Sequence, residues 1–71
     1  MKKLPPTRYY KNGDWSASLE SHNKGYSITY SLYGKVHSTK NFYLSDGYNR
    51  SVARIEALRE LKRGRFTLIK K

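Results

Sequence analysis

Apolar and polar residues alternate with a period of two along much of the first two thirds of the chain, and a helical period replaces that alternation in the last third. In Asp14 to Glu20, Trp15, Ala17 and Leu19 point one way while Ser16, Ser18 and Glu20 point the other, the pattern of a half-buried antiparallel strand. Tyr26 to Tyr33 repeats it, with Tyr26, Ile28, Tyr30 and Leu32 on one face and Ser27, Thr29, Ser31 and Tyr33 on the other. Residues 8 to 11 (Arg-Tyr-Tyr-Lys) and Thr39 to Leu44, where Phe42 and Leu44 share a face, read as shorter strands. Asn12-Gly13 predicts a tight primed hairpin turn, because both residues tolerate positive φ. His22-Asn23-Lys24-Gly25 and Gly34-Lys35 predict the next two connections, and Asp46-Gly47 ends the sheet.

Beyond this point a helix is predicted, with Asn49 or Ser51 as its N-cap. At 100° per residue, Ala53, Ala57, Leu58 and Leu61 gather on one side, flanked by Val52 and Ile55, while Glu56, Arg59, Glu60 and Arg63 lie mostly opposite. Ala53 and Ala57 let the helix backbone lie close to a sheet, and Gly64 is a plausible stop. The expected fold class is α+β, a three-stranded antiparallel sheet packed against one C-terminal helix (β-β-β-α). The expected organisation is a basic N-terminal arm over 1–7, closed by Pro5-Pro6, one sheet-and-helix domain over 8–64, and a C-terminal segment over 65–71. That last segment fits an edge strand, a docked tail or a mobile arm. No internal repeat is seen.

A chain of 71 residues without cysteine must make an economical core, which one helix laid across one small sheet provides. The missing cysteines exclude disulfides, thiolate nucleophiles and cysteine zinc sites, and suit a reducing compartment. Fifteen Lys and Arg against five Asp and Glu give a formal charge of +10. Such a balance favours a polyanion as partner, namely nucleic acid, an anionic membrane or an acidic protein, or simply serves solubility. With 37% hydrophobic and 14% aromatic residues, the chain is not a disordered basic tail. Met1-Lys2-Lys3-Leu4-Pro5-Pro6 has no apolar run behind it, so no signal peptide is read, and no stretch approaches the length of a membrane span. The expected location is cytoplasmic.

The composition offers little chemistry. His22 and His37 fall in predicted turns without a companion cysteine or closely spaced carboxylate. There is no glycine-rich phosphate cradle, no nucleophile elbow and no acid–base pair among five scattered acids. The expectation is a protein that is not an enzyme and holds no cofactor or metal. Arg8 and Lys11 on the first strand, Lys24 in a turn, Lys35 and His37 in the next connection and Lys40 on the last strand are the candidates for phosphate contacts. Of these, Arg8 and Lys40 are the ones expected to reach a groove. Tyr33 and Tyr43 are candidates for stacking on bases or bonding to phosphate, while Trp15, Tyr26 and Tyr30 are assigned to the core. Arg50, Arg54, Arg59, Lys62 and Arg63 form a second basic set that Glu56 and Glu60 partly neutralise as ordinary helix surface. Lys2-Lys3 and Lys70-Lys71 would be flexible basic arms.

The stretch Tyr9-Tyr10-Lys11-Asn12-Gly13-Asp14-Trp15-Ser16-Ala17-Ser18-Leu19 resembles the first hairpin of the AP2-like domain, with its Trp-x-Ala-x-hydrophobic strand. Lys40-Asn41-Phe42-Tyr43-Leu44-Ser45-Asp46-Gly47-Tyr48 resembles the last strand and the approach to the helix, and Ser51-Val52-Ala53-Arg54-Ile55-Glu56-Ala57-Leu58-Arg59 resembles the helix itself. The resemblance, to the phage- and integrase-associated type, runs from about residue 8 to about residue 63 and implies a DNA-binding module that docks its sheet in the major groove. The face holding Ser16, Ser18, Ser27, Thr29 and Ser31 is poor in arginine. The leading expectation is a small module contacting double-stranded DNA through the exposed sheet face, as a phage-type regulator or recombination accessory. The alternatives are a protein-interaction module for an acidic partner, such as a phage-encoded inhibitor of a host enzyme, and an RNA-binding domain. A homodimer would double the footprint. Membrane binding is not expected, since the helix is short and its apolar sector mixed.

Overall fold

Four long strands joined by two-residue loops account for the alternating part of the sequence. In the computed structural model, which describes residues 6–69, these are β1 (Arg8–Asn12), β2 (Trp15–His22), β3 (Gly25–Leu32) and β4 (Lys35–Tyr43). A single turn of 3₁₀ helix (Leu44–Asp46) leads to α1 (Arg50–Arg63), and a short β5 (Thr67–Leu68) follows. All neighbouring strands are antiparallel, in the order β4-β3-β2-β1-β5. The architecture is therefore α+β with an antiparallel sheet and one C-terminal helix, but the sheet has five strands and not three. Residues 8–12 pair along their whole length with β2. Thr67 and Leu68 pair with Lys11 and Tyr10 on the other edge of β1, and the Ile69 N–H donates to the Tyr9 carbonyl at 2.8 Å. Of the three readings of the C-terminal segment, its described part takes the edge strand. Lys2, Lys3, Lys70 and Lys71 lie outside the described residues.

The hairpins differ from the turn chemistry expected. Asn12 pairs with Trp15, so the first loop is Gly13-Asp14, and only Gly13 has positive φ (61°). That suits a turn with glycine at its first central position. Asn12 instead donates from its side-chain amide to the Gly64 carbonyl at 2.8 Å, tying the helix end to the sheet. The loop with positive φ at both residues is Tyr33-Gly34 (51° and 80°), between Leu32 and Lys35. β4 starts at Lys35 and not at Thr39 because backbone pairing with β3 holds its exposed first half, and His37 is the extra residue at a bulge beside Tyr30 and Ser31.

Period two sets the core. Tyr10, Ala17, Leu19, Tyr26, Ile28 and Phe42 form the buried face of the sheet, against which α1 lays Ala53, Ala57 and Leu61. Ala53, Ala57 and Ile28 have no exposed surface, so the two alanines bring the helix axis close to the central strand. Asn49, not Ser51, caps α1, its side-chain oxygen accepting from the Val52 N–H at 2.8 Å. At the other end the Phe66 N–H donates to the Leu61 carbonyl and the Arg65 N–H to that of Lys62, both at 3.0 Å. Arg65 supplies the left-handed residue (φ 60°) and Gly64 does not (φ −81°). A Cβ on Gly64 would sit 3.0 Å from the Phe66 ring, so Gly64 makes room for the phenyl group that folds back onto the core. Trp15 and Tyr30 are half-buried rather than core residues. Trp15 packs edge-on against His37 with ring centroids 5.0 Å apart, and Tyr30 packs against Phe66 at 5.6 Å.

Candidate nucleic-acid interface

The strand register sorts the charges of the strands onto two faces. Tyr9 and Lys11, Ser16, Ser18 and Glu20, Ser27, Thr29 and Ser31, Thr39, Asn41 and Tyr43 belong to the face away from the helix. Lys11 is the one Lys or Arg among them. This face holds a shallow groove of about 430 Å³ between Tyr9, Ser16, Ser18, Thr29, Ser31 and Ile69, rich in hydroxyls and poor in charge. Arg8 pairs in register with buried Leu19, and Lys40 with buried Ile28, so both project to the helix side. Period two links Arg8 to Tyr10 and Lys40 to Phe42, a clue already present in the sequence.

The residues expected to make phosphate contacts are therefore not brought together. Lys40 is engaged by the helix, its Nζ lying 3.1 Å from Glu60 Oε1 and 5.9 Å from the Phe42 ring centroid. Lys35 pairs with Leu32 on the helix side, and His37 is held at the bulge by Trp15. Lys24 is exposed in the β2–β3 turn. Only Lys11 and Tyr43 lie on the open face of the strands. Tyr33 caps the β3–β4 hairpin with 75% of its surface exposed, in the left-handed region that bulky residues seldom adopt.

The open face carries one ordered polar chain. The Lys24 N–H donates to His22 Nδ1 at 3.2 Å, which leaves the ring proton on Nε2, and Nε2 donates to Ser27 Oγ at 2.7 Å. The Ser27 hydroxyl then donates to Asn41 Oδ1 at 2.7 Å. His22 thus offers Ser27 a proton and not a lone pair, the reverse of what an activated nucleophile needs. The chain ties β2, β3 and β4 together. Among the described residues no three His, Asp or Glu side chains gather as a metal cage.

The helix side is where basic charge accumulates. Arg50 is structural: Nη1 donates to Ser21 Oγ at 3.0 Å, Nη2 to the His22 carbonyl at 2.8 Å, and the guanidinium lies 5.8 Å from the Tyr26 ring centroid. Glu56 and Glu60 occupy the flank of α1 turned to β4, pairing with Arg59 and Arg63 at 3.5 Å. The other flank and the outer surface expose Arg54, Ile55, Arg59 and Lys62, with Ile55 51% exposed. Arg54 also lines a cleft of about 410 Å³ between α1 and the β1–β2 edge, together with Arg8, Tyr10, Ser21, Tyr26 and Leu58. Neither Arg8 nor Arg54 has an acidic partner among the described residues. That Arg8 and Arg54 line one cleft was not visible in the sequence, because it depends on which way the helix crosses the sheet.

No described helix is long and apolar enough to cross a membrane. No protein-family model, curated protein or solved structure matches the chain.

Proposed function

We propose that this chain is a non-catalytic module that binds duplex DNA through the basic outer surface of α1, with Arg54, Arg59 and Lys62 contacting phosphates. The observation that carries this reading is the segregation of charge. The strands expose Lys11 alone on their open face, whereas the helix side gathers nearly all the remaining described cations and keeps its acids to one flank. A cationic helix surface suits sequence-tolerant phosphate binding. The sheet-face docking that the AP2-like resemblance implies would leave one lysine and a row of hydroxyls against the duplex, which is little to read base edges with. In this reading the AP2-like likeness extends to the order of hairpins followed by a helix, and the module acts in the cytoplasm as a phage-type regulator or recombination accessory.

Amide chemical shifts recorded while duplex DNA is titrated into the isotope-labelled chain test this surface. The proposal expects the perturbations to cluster on Ser51, Ile55, Arg59 and Lys62. Perturbations confined to Ser16, Ser18, Thr29 and Ser31 would return the contact to the sheet, and a spectrum unmoved by DNA would overturn nucleic-acid binding and favour an acidic protein as partner.

A further inference from the structure

We infer that the cleft between α1 and the β1–β2 edge is a seat for the terminal phosphate of a nucleic-acid strand, an inference that rests on the proposed nucleic-acid binding. Its lining brings together Arg8, Arg54 and Ser21. Ser21 is kept in place by the Arg50 Nη1 donation at 3.0 Å. None of the lining residues is acidic. Arg8 and Arg54, which have no acidic partner among the described residues, put two positive charges on one cleft, an arrangement that a bound anion would relieve. A phosphomonoester, with about −1.5 to −2 charges and three acceptor oxygens, answers two such forks better than a single carboxylate does. A phosphodiester inside a strand carries one charge and is flanked by sugars on both sides, so it answers them less well.

The rest of the cleft fits what is attached to such a phosphate. Tyr10, Leu19, Tyr26 and Leu58 make an aromatic and aliphatic floor, and the volume of about 410 Å³ falls in the range of small-molecule sites, roughly 300–1,000 Å³. A nucleoside presents a flat, largely apolar face to such a floor. The strand has a basic path out of the cleft, because Arg54 both lines it and belongs to the exposed helix surface that continues to Arg59 and Lys62. That continuity favours a nucleotide at the end of a strand over a phosphorylated side chain of a protein.

The test compares two short duplexes of one sequence, one ending in a phosphate and one in a hydroxyl, by anisotropy with the complete chain and with R8Q, R54Q and R59Q. The terminal phosphate should strengthen binding to the unaltered chain at least about tenfold, the factor that one charge-assisted bond carries. R8Q and R54Q should shrink that ratio towards one, whereas R59Q should weaken both duplexes and keep the ratio. Circular dichroism of each variant, all three altered at exposed positions, checks that the fold persists. Equal affinity of the unaltered chain for both duplexes would overturn the cleft assignment while leaving the helix-side reading intact. Binding to neither would overturn both. Displacement of the phosphorylated duplex by phosphotyrosine but not by adenosine monophosphate would also overturn it, in favour of a phosphoprotein ligand.

Discussion

Replacing Gly25 by alanine should cost much more stability than the same change at Gly13, although both glycines have positive φ. Gly25 opens β3 at φ 138°, directly across from Tyr43. A Cβ there would stand 2.2 Å from the Phe42 carbonyl oxygen and 3.2 Å from the Phe42 carbonyl carbon and the Tyr43 Cα. The obstacle is backbone, and it cannot swing aside without moving the buried Phe42 ring and the Leu44 N–H bond to the Lys24 carbonyl. The unfavourable backbone conformation contributes about 1–3 kcal/mol, and forcing the carbonyl away adds an overpacking cost of about 1–3 kcal/mol. A chain of this length has roughly 4–10 kcal/mol in total, so Gly25→Ala should leave a marginal fold. At Gly13, where φ is 61°, a methyl group would meet nothing within 4 Å, and Gly13→Ala should lose only the left-handed cost of about 1–2 kcal/mol. Urea unfolding followed by circular dichroism and Trp15 fluorescence measures both. Equal losses in the two variants would refute the argument that contact with the Phe42 carbonyl dominates.

Tyr33→Asn should raise the unfolding free energy measured in urea by up to about 1 kcal/mol, since asparagine tolerates the φ of 51° better than tyrosine does; a fall would show that the exposed ring makes contacts worth more than its strain. Trp15→Ala should cost about 2 kcal/mol and Ile28→Ala about 3–4 kcal/mol, because Trp15 is half-buried and Ile28 wholly so; the reverse order in urea titrations would contradict this burial. The Tyr30 hydroxyl is raised above its ordinary value, first by burial and then by the nearby Glu60 carboxylate. A group whose folded pKa is raised gives stability that is complete below its unfolded pKa and is lost as pH rises through the folded one, so stability should fall in the alkaline range above about pH 10. Tyr30→Phe should flatten that fall, and an identical alkaline profile for the two proteins would refute the assignment.

The strands, the helix and most of the core were legible because a period of two and a period of 3.6 leave different marks on the sequence. Ala53, Ala57 and Leu61 declare the helix face, and Tyr26 and Ile28 the buried side of β3. What escaped had no side-chain signature. The first half of β4 has a single apolar residue, the exposed Val36, and so shows no alternation, and Thr67–Leu68 is too short for its alternation to stand out. The loop with positive φ at both residues fell at Tyr33-Gly34, where a tyrosine masks a turn that Asn-Gly would have announced. Placing the basic surface needed one further fact, the side of the sheet on which the helix lies. Once α1 covers the face of Tyr10 and Phe42, Arg8 and Lys40 follow to that side and the open face keeps Lys11 as its one Lys or Arg on the strands, amid serines and threonines.

The salt dependence of duplex DNA binding separates a helix-side interface from one on the sheet. Anisotropy titrations at several salt concentrations should give a slope that falls by about 0.9 for each phosphate contact removed. Arg59→Gln with Lys62→Gln should therefore lower it by roughly 1.8, while Lys11→Gln leaves it as it was. A slope that is insensitive to the two helix positions and reduced by Lys11→Gln would contradict the helix-side interface and place the DNA on the sheet.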